Sequence, residues 1–239
     1  GHGELTRVLI KTLKAAQNEW KLIAIEKDEE LAREMKDNFS ILYPKLRVMK
    51  GDALKLLPQL SAKSKLEDYK LTGNIPYYIT GKLLRIVGSL RHKPGIVVLT
   101  VQREVAERVS AEPPKMNLLA ASVQLWAEVK IIGYIPRKWF KPEPDVDSAI
   151  IKLTTYDVVI PADFARKYYG AVHKIFKQPR KTILNNLSQG EDVQTKETIR
   201  RLLKQNGIDP GLRPQNLTIN NLKLLSIIPF FNSSTSSFN

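Results

Sequence analysis

The sequence predicts an α/β protein whose sheet is mostly parallel, with its last strand antiparallel, followed by a small all-helical domain. Three observations carry this. Six short, nearly all-apolar runs fall in the first two-thirds of the chain, helical patterns separate most of them, and the β signal stops after Thr155. Strands that apolar are buried on both faces, as in parallel sheets covered by helices.

In chain order the predicted strands are KLIAIE (21–26), LRVMKG (46–51), YKLTGN (69–74), GIVVLTVQ (95–102), AEVKIIGYI (127–135) and SAIIKLT (148–154). Between them lie the amphipathic patterns LTRVLIKTLKAAQ, DEELAREMKDNFSIL, TGKLLRIVGSL and NLLAASVQLW. Asp28 and Thr80 are placed to cap the helices that follow them. The Pro-rich segment between the last two strands leaves no room for a crossover helix, so those strands pair antiparallel. Beyond Thr155 four helices are expected: ADFARKYYGAVHKIF, PRKTILNNL, KETIRRLLKQNG and TINNLKLLSII, with Gly207 stopping the third. The expected domains are therefore 1–155, α/β, and 156–239, helical.

Composition narrows the function. The 239 residues carry 38 Lys+Arg against 24 Asp+Glu, a formal net charge of +14. A chain this basic is predisposed to polyanions, nucleic acid first among them. With no cysteine there is no disulfide, thiolate metal site or cysteine nucleophile. Three scattered histidines argue against a metal centre. No apolar run approaches the ~18 residues that span a bilayer, and no signal peptide precedes GHGELT. The expectation is a cytoplasmic monomer that engages no membrane.

Ligands of open α/β sheets sit at the carboxyl ends of the strands. Gly1 and Gly3, before the first helix, let a ligand approach the backbone. Glu26 closes the first strand and can accept from both hydroxyls of a ribose. Asp52, in KGDAL, can accept from an exocyclic amine or cap the next helix. These three point to a nucleoside-containing cofactor, either a dinucleotide or S-adenosylmethionine.

The stretch GNIPYYIT (73–80) decides for methyl transfer. The lone pair of a nucleobase amine is delocalised into the ring. The Asn74 side-chain oxygen and the Ile75 carbonyl, held together, both accept from that NH2 and favour a more nucleophilic nitrogen. Pro76 fixes the backbone. Tyr77 offers a face to an extruded base.

These stretches resemble the rRNA adenine dimethyltransferases that act on small-subunit ribosomal RNA, and their large-subunit relatives. The resemblance runs nearly end to end: GHGELT, IEKD, GDAL, GNIPYYIT, VQREVAERV, NLLAASVQ, WFKPEPDVDSAIIKL, FKQPRKTILNNL and LRPQNLTINNLKLL match the family's motifs in order. It implies a Rossmann-like, S-adenosylmethionine-dependent methyltransferase sheet, with Gly1, Gly3, Glu26, Asp52, Ala53 and Asn74 at the cofactor. It further implies that Tyr77 and Phe140 sandwich the target adenine, that Pro142 and Pro144 stiffen the loop, and that Lys174, Lys177, Arg180 and Lys181 meet RNA phosphates. No general base is required before transfer, because a sulfonium is already an activated donor.

Two departures stand out. The sequence begins inside the glycine motif, so the strand preceding it and part of the donor pocket are expected outside these residues. Pro179 stands where the family usually has arginine. The expected activity is dimethylation of small-subunit rRNA adenines during ribosome biogenesis. The alternatives are the large-subunit, antibiotic-resistance branch and a non-catalytic RNA- or DNA-binding factor on the same scaffold.

Overall fold

The computed structural model describes residues 2–16, 19–63 and 68–228. It divides into two compact units, Gly1–Pro94 and Gly95–Asn239.

The first unit contains α1 (Glu4–Ala15), β1 (Leu22–Glu26), α2 (Glu29–Phe39), β2 (Leu46–Lys50), α3 (Ala53–Lys63), β3 (Lys70–Asn74) and α4 (Thr80–Ser89). β1 and β2 pair in parallel with Leu22 opposite Leu46 and Glu26 opposite Lys50. Ile10 of α1 and Met35 and Phe39 of α2 form a core with Leu46, against which Trp20, Leu22, Ala24, Tyr43 and Val48 pack. All five residues of β1 are nevertheless only half-buried, unlike the fully buried strand its apolar sequence predicts.

Asp28 caps α2 as expected, its side chain accepting from the Leu31 N–H. Thr80 does not cap α4. It is the first helical residue, Ile79 occupies the cap position, and the Thr80 hydroxyl is buried with no partner among the described residues. The chain already turns helically through Tyr77–Ile79, so no extended residue precedes Thr80 to make the cap.

The second unit begins with β4 (Ile96–Gln102), α5 (Arg103–Val109), α6 (Leu118–Gln124), β5 (Ala127–Ile135) and β6 (Ser148–Thr155). β6, the last strand, runs antiparallel to both β4 and β5, as the short connection from β5 requires. Val97, Leu99 and Val101 alternate with Ala149, Ile151 and Leu153 into a core from which solvent is almost wholly excluded. β5 carries a bulge between Ile131 and Gly133. Among the described residues only helices follow: α7 (Ala162–Ile175), α8 (Ile183–Leu187), α9 (Val193–Gln205) and α10 (Ile219–Ile227). The buried Tyr168 of α7 donates its hydroxyl to the Ala121 carbonyl of α6 at 2.9 Å. Gly207, at a φ of 70°, stops α9 one residue past its cap, as predicted. Among the described residues no helix is long and apolar enough to cross a membrane.

Candidate active site

In the first unit, the parallel register of β1 and β2 brings two predicted cofactor residues to one edge. Glu26 ends β1, and the Gly51 N–H just past β2 donates to the Glu26 carbonyl at 2.8 Å. Asp52, the next residue, therefore sits beside Glu26 at the carboxyl end of the pair.

Each carboxylate is already held by the backbone after it. Glu26 Oε1 accepts from the Asp28 N–H at 3.0 Å, and Asp52 Oδ1 accepts from the Leu54 N–H at 2.9 Å at the start of α3. Asp52 thus makes the helix-opening contact that was one of its two expected roles, with Ala53 as the first helical residue. Partial burial raises the Glu26 pKa, but donors, among them the Asp28 and Lys27 N–H groups, lower it by more. The carboxylate stays ionised at neutral pH, the state that accepts from two hydroxyls.

Gly3 is buried at the N-cap of α1 with φ 85°, a conformation that side-chain-bearing residues adopt at a penalty. A Cβ there would lie 2.9 Å from the Phe39 ring. Glycine is therefore required here both by the backbone turn and by the close packing of Phe39 of α2. Gly1 falls outside the described residues.

Asn74 is the last residue of β3 and is exposed. Half-buried Ile75 follows, then Pro76 at φ −55°, ψ 133°, which turns the chain into the one-turn helix Tyr77–Ile79. The Ile79 N–H closes that turn on the Pro76 carbonyl at 3.1 Å. Tyr77 is half-buried, whereas Tyr78 is 82% exposed. The two adjacent tyrosines therefore have different environments, and the half-buried one is the ring named for base stacking.

The second unit holds Phe140. After β5, Pro136 leads into the short turn Arg137–Trp139, and the Phe140 N–H donates to the Arg137 carbonyl at 3.0 Å. Phe140 is half-buried and extended. Sequence reasoning credited the stiffness of this loop to Pro142 and Pro144 and missed Asp147. Its carboxylate accepts from the Arg137 N–H at 3.0 Å, and its carbonyl accepts from the Arg103 N–H at 2.9 Å. One aspartate thus fastens both ends of the loop to the start of α5. Arg137 adds Nη1 to the Asp145 carbonyl at 3.3 Å and an ion pair with Glu143 at 3.0 Å. Arg103, Glu104, Glu107, Arg137, Asp145, Val146 and Asp147 line an open depression of about 420 Å³. Tyr77 and Phe140 belong to different units.

The predicted basic cluster is not a helix face. Half-buried Lys174 lies in the last turn of α7, and exposed Lys177, Arg180 and Lys181 lie in the connection to α8. That helix starts at Ile183, later than PRKTILNNL predicts, because Thr182 caps it by accepting from the Asn185 N–H. Buried Asn186 organises the connection, and sequence reasoning passed over it. Its Oδ1 accepts from the Gln178 N–H at 2.9 Å. Its Nδ2 donates to the carbonyls of Gln178 at 3.0 Å, Thr182 at 3.1 Å and Lys181 at 3.4 Å. The signal was an amide among the apolar positions of ILNNL, where a buried polar group must find partners.

Comparison with known proteins shows the family. Residues 1–224 match the family described as ribosomal RNA adenine dimethylase. The ribosomal RNA small subunit methyltransferase A of Dehalococcoides mccartyi is 34% identical over 229 residues, covering 95% of this chain and 76% of the relative. The Geobacillus thermodenitrificans protein of the same name is 32% identical over 241 residues, covering 97% and 80%. Among solved structures, a dimethyladenosine transferase from Plasmodium falciparum aligns with a TM-score of 0.72 at 24% identity, covering 88% of this chain and 82% of that one. The 23S rRNA methyltransferase ErmE aligns at 0.69 and 21%, covering 95% and 86%. These two likenesses concern the fold, which is that of the rRNA methyltransferases. By sequence and fold together, the chain belongs to the ribosomal RNA adenine dimethylase family.

Proposed function

We propose that this chain methylates the exocyclic amine of adenines in small-subunit rRNA, twice per target, during ribosome maturation in the cytoplasm. The observation that carries this reading is the end of β3, where Asn74 stands exposed and a proline-fixed turn presents Tyr77. S-adenosylmethionine, when bound, supplies a methyl group on a sulfonium that needs no further activation. The residues fit it. Gly3 gives the start of α1 a left-handed turn that a side chain would strain, and ionised Glu26 suits a ribose, with Asp52 and Ala53 beside it. Gly1 joins this set by its place in the motif.

The chain's own work is alignment and electrostatics. Asn74 and the Ile75 carbonyl accept from the amine as its nitrogen pyramidalises. Tyr77 and Phe140 hold the base, and the amine proton is lost after transfer. Residues 156–239 form the RNA-binding domain of this reading, and the enzyme acts as a monomer. The small-subunit choice over the large-subunit branch is supported by the names of relatives above 30% identity, since likeness to ErmE concerns fold alone.

Two expected results test the parts. Glu26→Gln raises the Kd for S-adenosylmethionine by about tenfold or more, because a charge-assisted hydrogen bond becomes a neutral one. Calorimetric titration measures this, and an unchanged Kd removes Glu26 from the pocket. Arg180→Ala combined with Lys181→Ala lowers the slope of log affinity against log salt by about two, as lost phosphate contacts require. An unchanged slope places the RNA surface elsewhere.

A further inference from the structure

We propose that Trp139 is a stacking platform for a nucleotide flanking the target adenine, with Lys138 and Lys141 meeting its phosphates. The inference deepens the reading above and rests on it.

The other two tryptophans are packed. Trp126 is 2% exposed, and Trp20 packs against the first unit's core with Lys45 Nζ 5.9 Å from its ring centroid. Trp139 is 74% exposed. An isolated aliphatic residue at the surface is ordinary, but an indole left bare on an ordered loop wastes a large apolar area.

The loop is ordered. The Trp139 N–H donates to the Pro136 carbonyl at 3.1 Å, and the bonds of Arg137 to Asp147, Asp145 and Glu143 hold the residues around it. Trp139 is therefore presented rather than left loose, so little conformational entropy is lost when a base lands on it.

Its surroundings name the partner. Lys138 and Lys141 are both exposed, and among the described residues neither pairs with a carboxylate. An aromatic face between two uncompensated cations fits a base and its phosphates, the pattern of single-stranded nucleic-acid binding. Phe140, the next residue, is half-buried where Trp139 is exposed, so the two rings lie in different environments and are assigned to different bases. Phe140 is assigned to the extruded adenine. Trp139 is left for its neighbour, which loses a stacking partner on one face when the adenine is drawn out. Because every base has a π-face, this platform adds affinity without reading sequence.

The test uses the whole protein with small-subunit particles lacking the modification, and a short single-stranded oligoadenylate as optical probe. Trp139→Ala should raise KM for the particles about tenfold while kcat stays within about twofold, and Trp139→Phe should restore most of the loss. Oligoadenylate should quench the exposed indole emission of the unsubstituted protein, and Trp139→Phe should abolish that quenching while keeping oligoadenylate affinity. An unsubstituted protein that methylates particles, with normal KM in Trp139→Ala or full quenching in Trp139→Phe, overturns the platform and leaves the enzyme reading intact. An unsubstituted protein that neither binds nor methylates RNA overturns both. Normal KM together with loss of self-association or protein binding in Trp139→Ala would assign the indole to a protein interface instead.

Discussion

Asn74→Ala is expected to slow methyl transfer at saturating substrate by about 100- to 1,000-fold while leaving RNA affinity within about twofold. In the ground state the adenine amine is planar and its N–H groups are weak donors. As the nitrogen attacks, it pyramidalises and gains positive charge, so acceptors aimed at its hydrogens hold the transition state more tightly than the substrate. The Ile75 carbonyl survives the substitution, which leaves one of two acceptors. RNA affinity is spread over phosphates and stacked bases and does not depend on this contact. Single-turnover transfer to small-subunit particles, beside an equilibrium binding measurement, separates the two quantities. Wild-type turnover by the alanine variant would remove Asn74 from the mechanism. A parallel fall in both quantities would make it a binding residue.

Asn186→Leu is expected to destabilise the protein by about 3 kcal/mol and to weaken RNA binding about tenfold in the molecules that remain folded. The side chain is 2% exposed and ties the connection at Gln178, Lys181 and Thr182. Leucine has similar bulk but takes the acceptor from the buried Gln178 N–H and the amide donor from the Lys181 carbonyl, while the Gln178 and Thr182 carbonyls keep only the Lys181 and Asn186 backbone N–H groups. It also releases the backbone that carries Arg180 and Lys181.

Asn186→Asp tests the hydrogen-bond argument separately from bulk. The carboxyl keeps an acceptor for the Gln178 N–H, but when ionised it opposes three carbonyls and can donate to none. Protonation restores one donor, so the folded-state pKa lies above the unfolded value. The aspartate variant should therefore be most stable at low pH and lose stability as pH rises through that raised pKa. Denaturant unfolding across the acid range reads this directly. A variant whose stability follows the unsubstituted protein at every pH would show that the amide donor contributes nothing.

Much of this molecule was legible in order. All six strands appear within a residue or two of the apolar runs that predict them, because turn residues bound each run. The places of Glu26, Asp52 and Asn74 at the carboxyl ends of strands were legible, because the end of an apolar run marks that position. What escaped depends on local breaks and on hydrogen-bond partners that an apolar pattern does not display. Nothing in PRKTILNNL announces that Thr182 starts the helix and strands Arg180 and Lys181 on a loop. Asp147 looked like one letter of a signature, and only the structure reveals that it fastens Arg103 and Arg137 at once. α3 lacks an obvious helical signature because Pro58 lies inside it. The bulge in β5 is likewise invisible in a run whose alternation continues through it.

The most direct test of the account is transfer of labelled methyl groups from S-adenosylmethionine to separated small- and large-subunit RNAs in unmodified particles, followed by nucleoside analysis and primer extension. The account predicts N6,N6-dimethyladenosine in the small-subunit RNA alone, with two methyl groups per target adenine. Label confined to large-subunit RNA, or cofactor and RNA binding without any transfer, would contradict it.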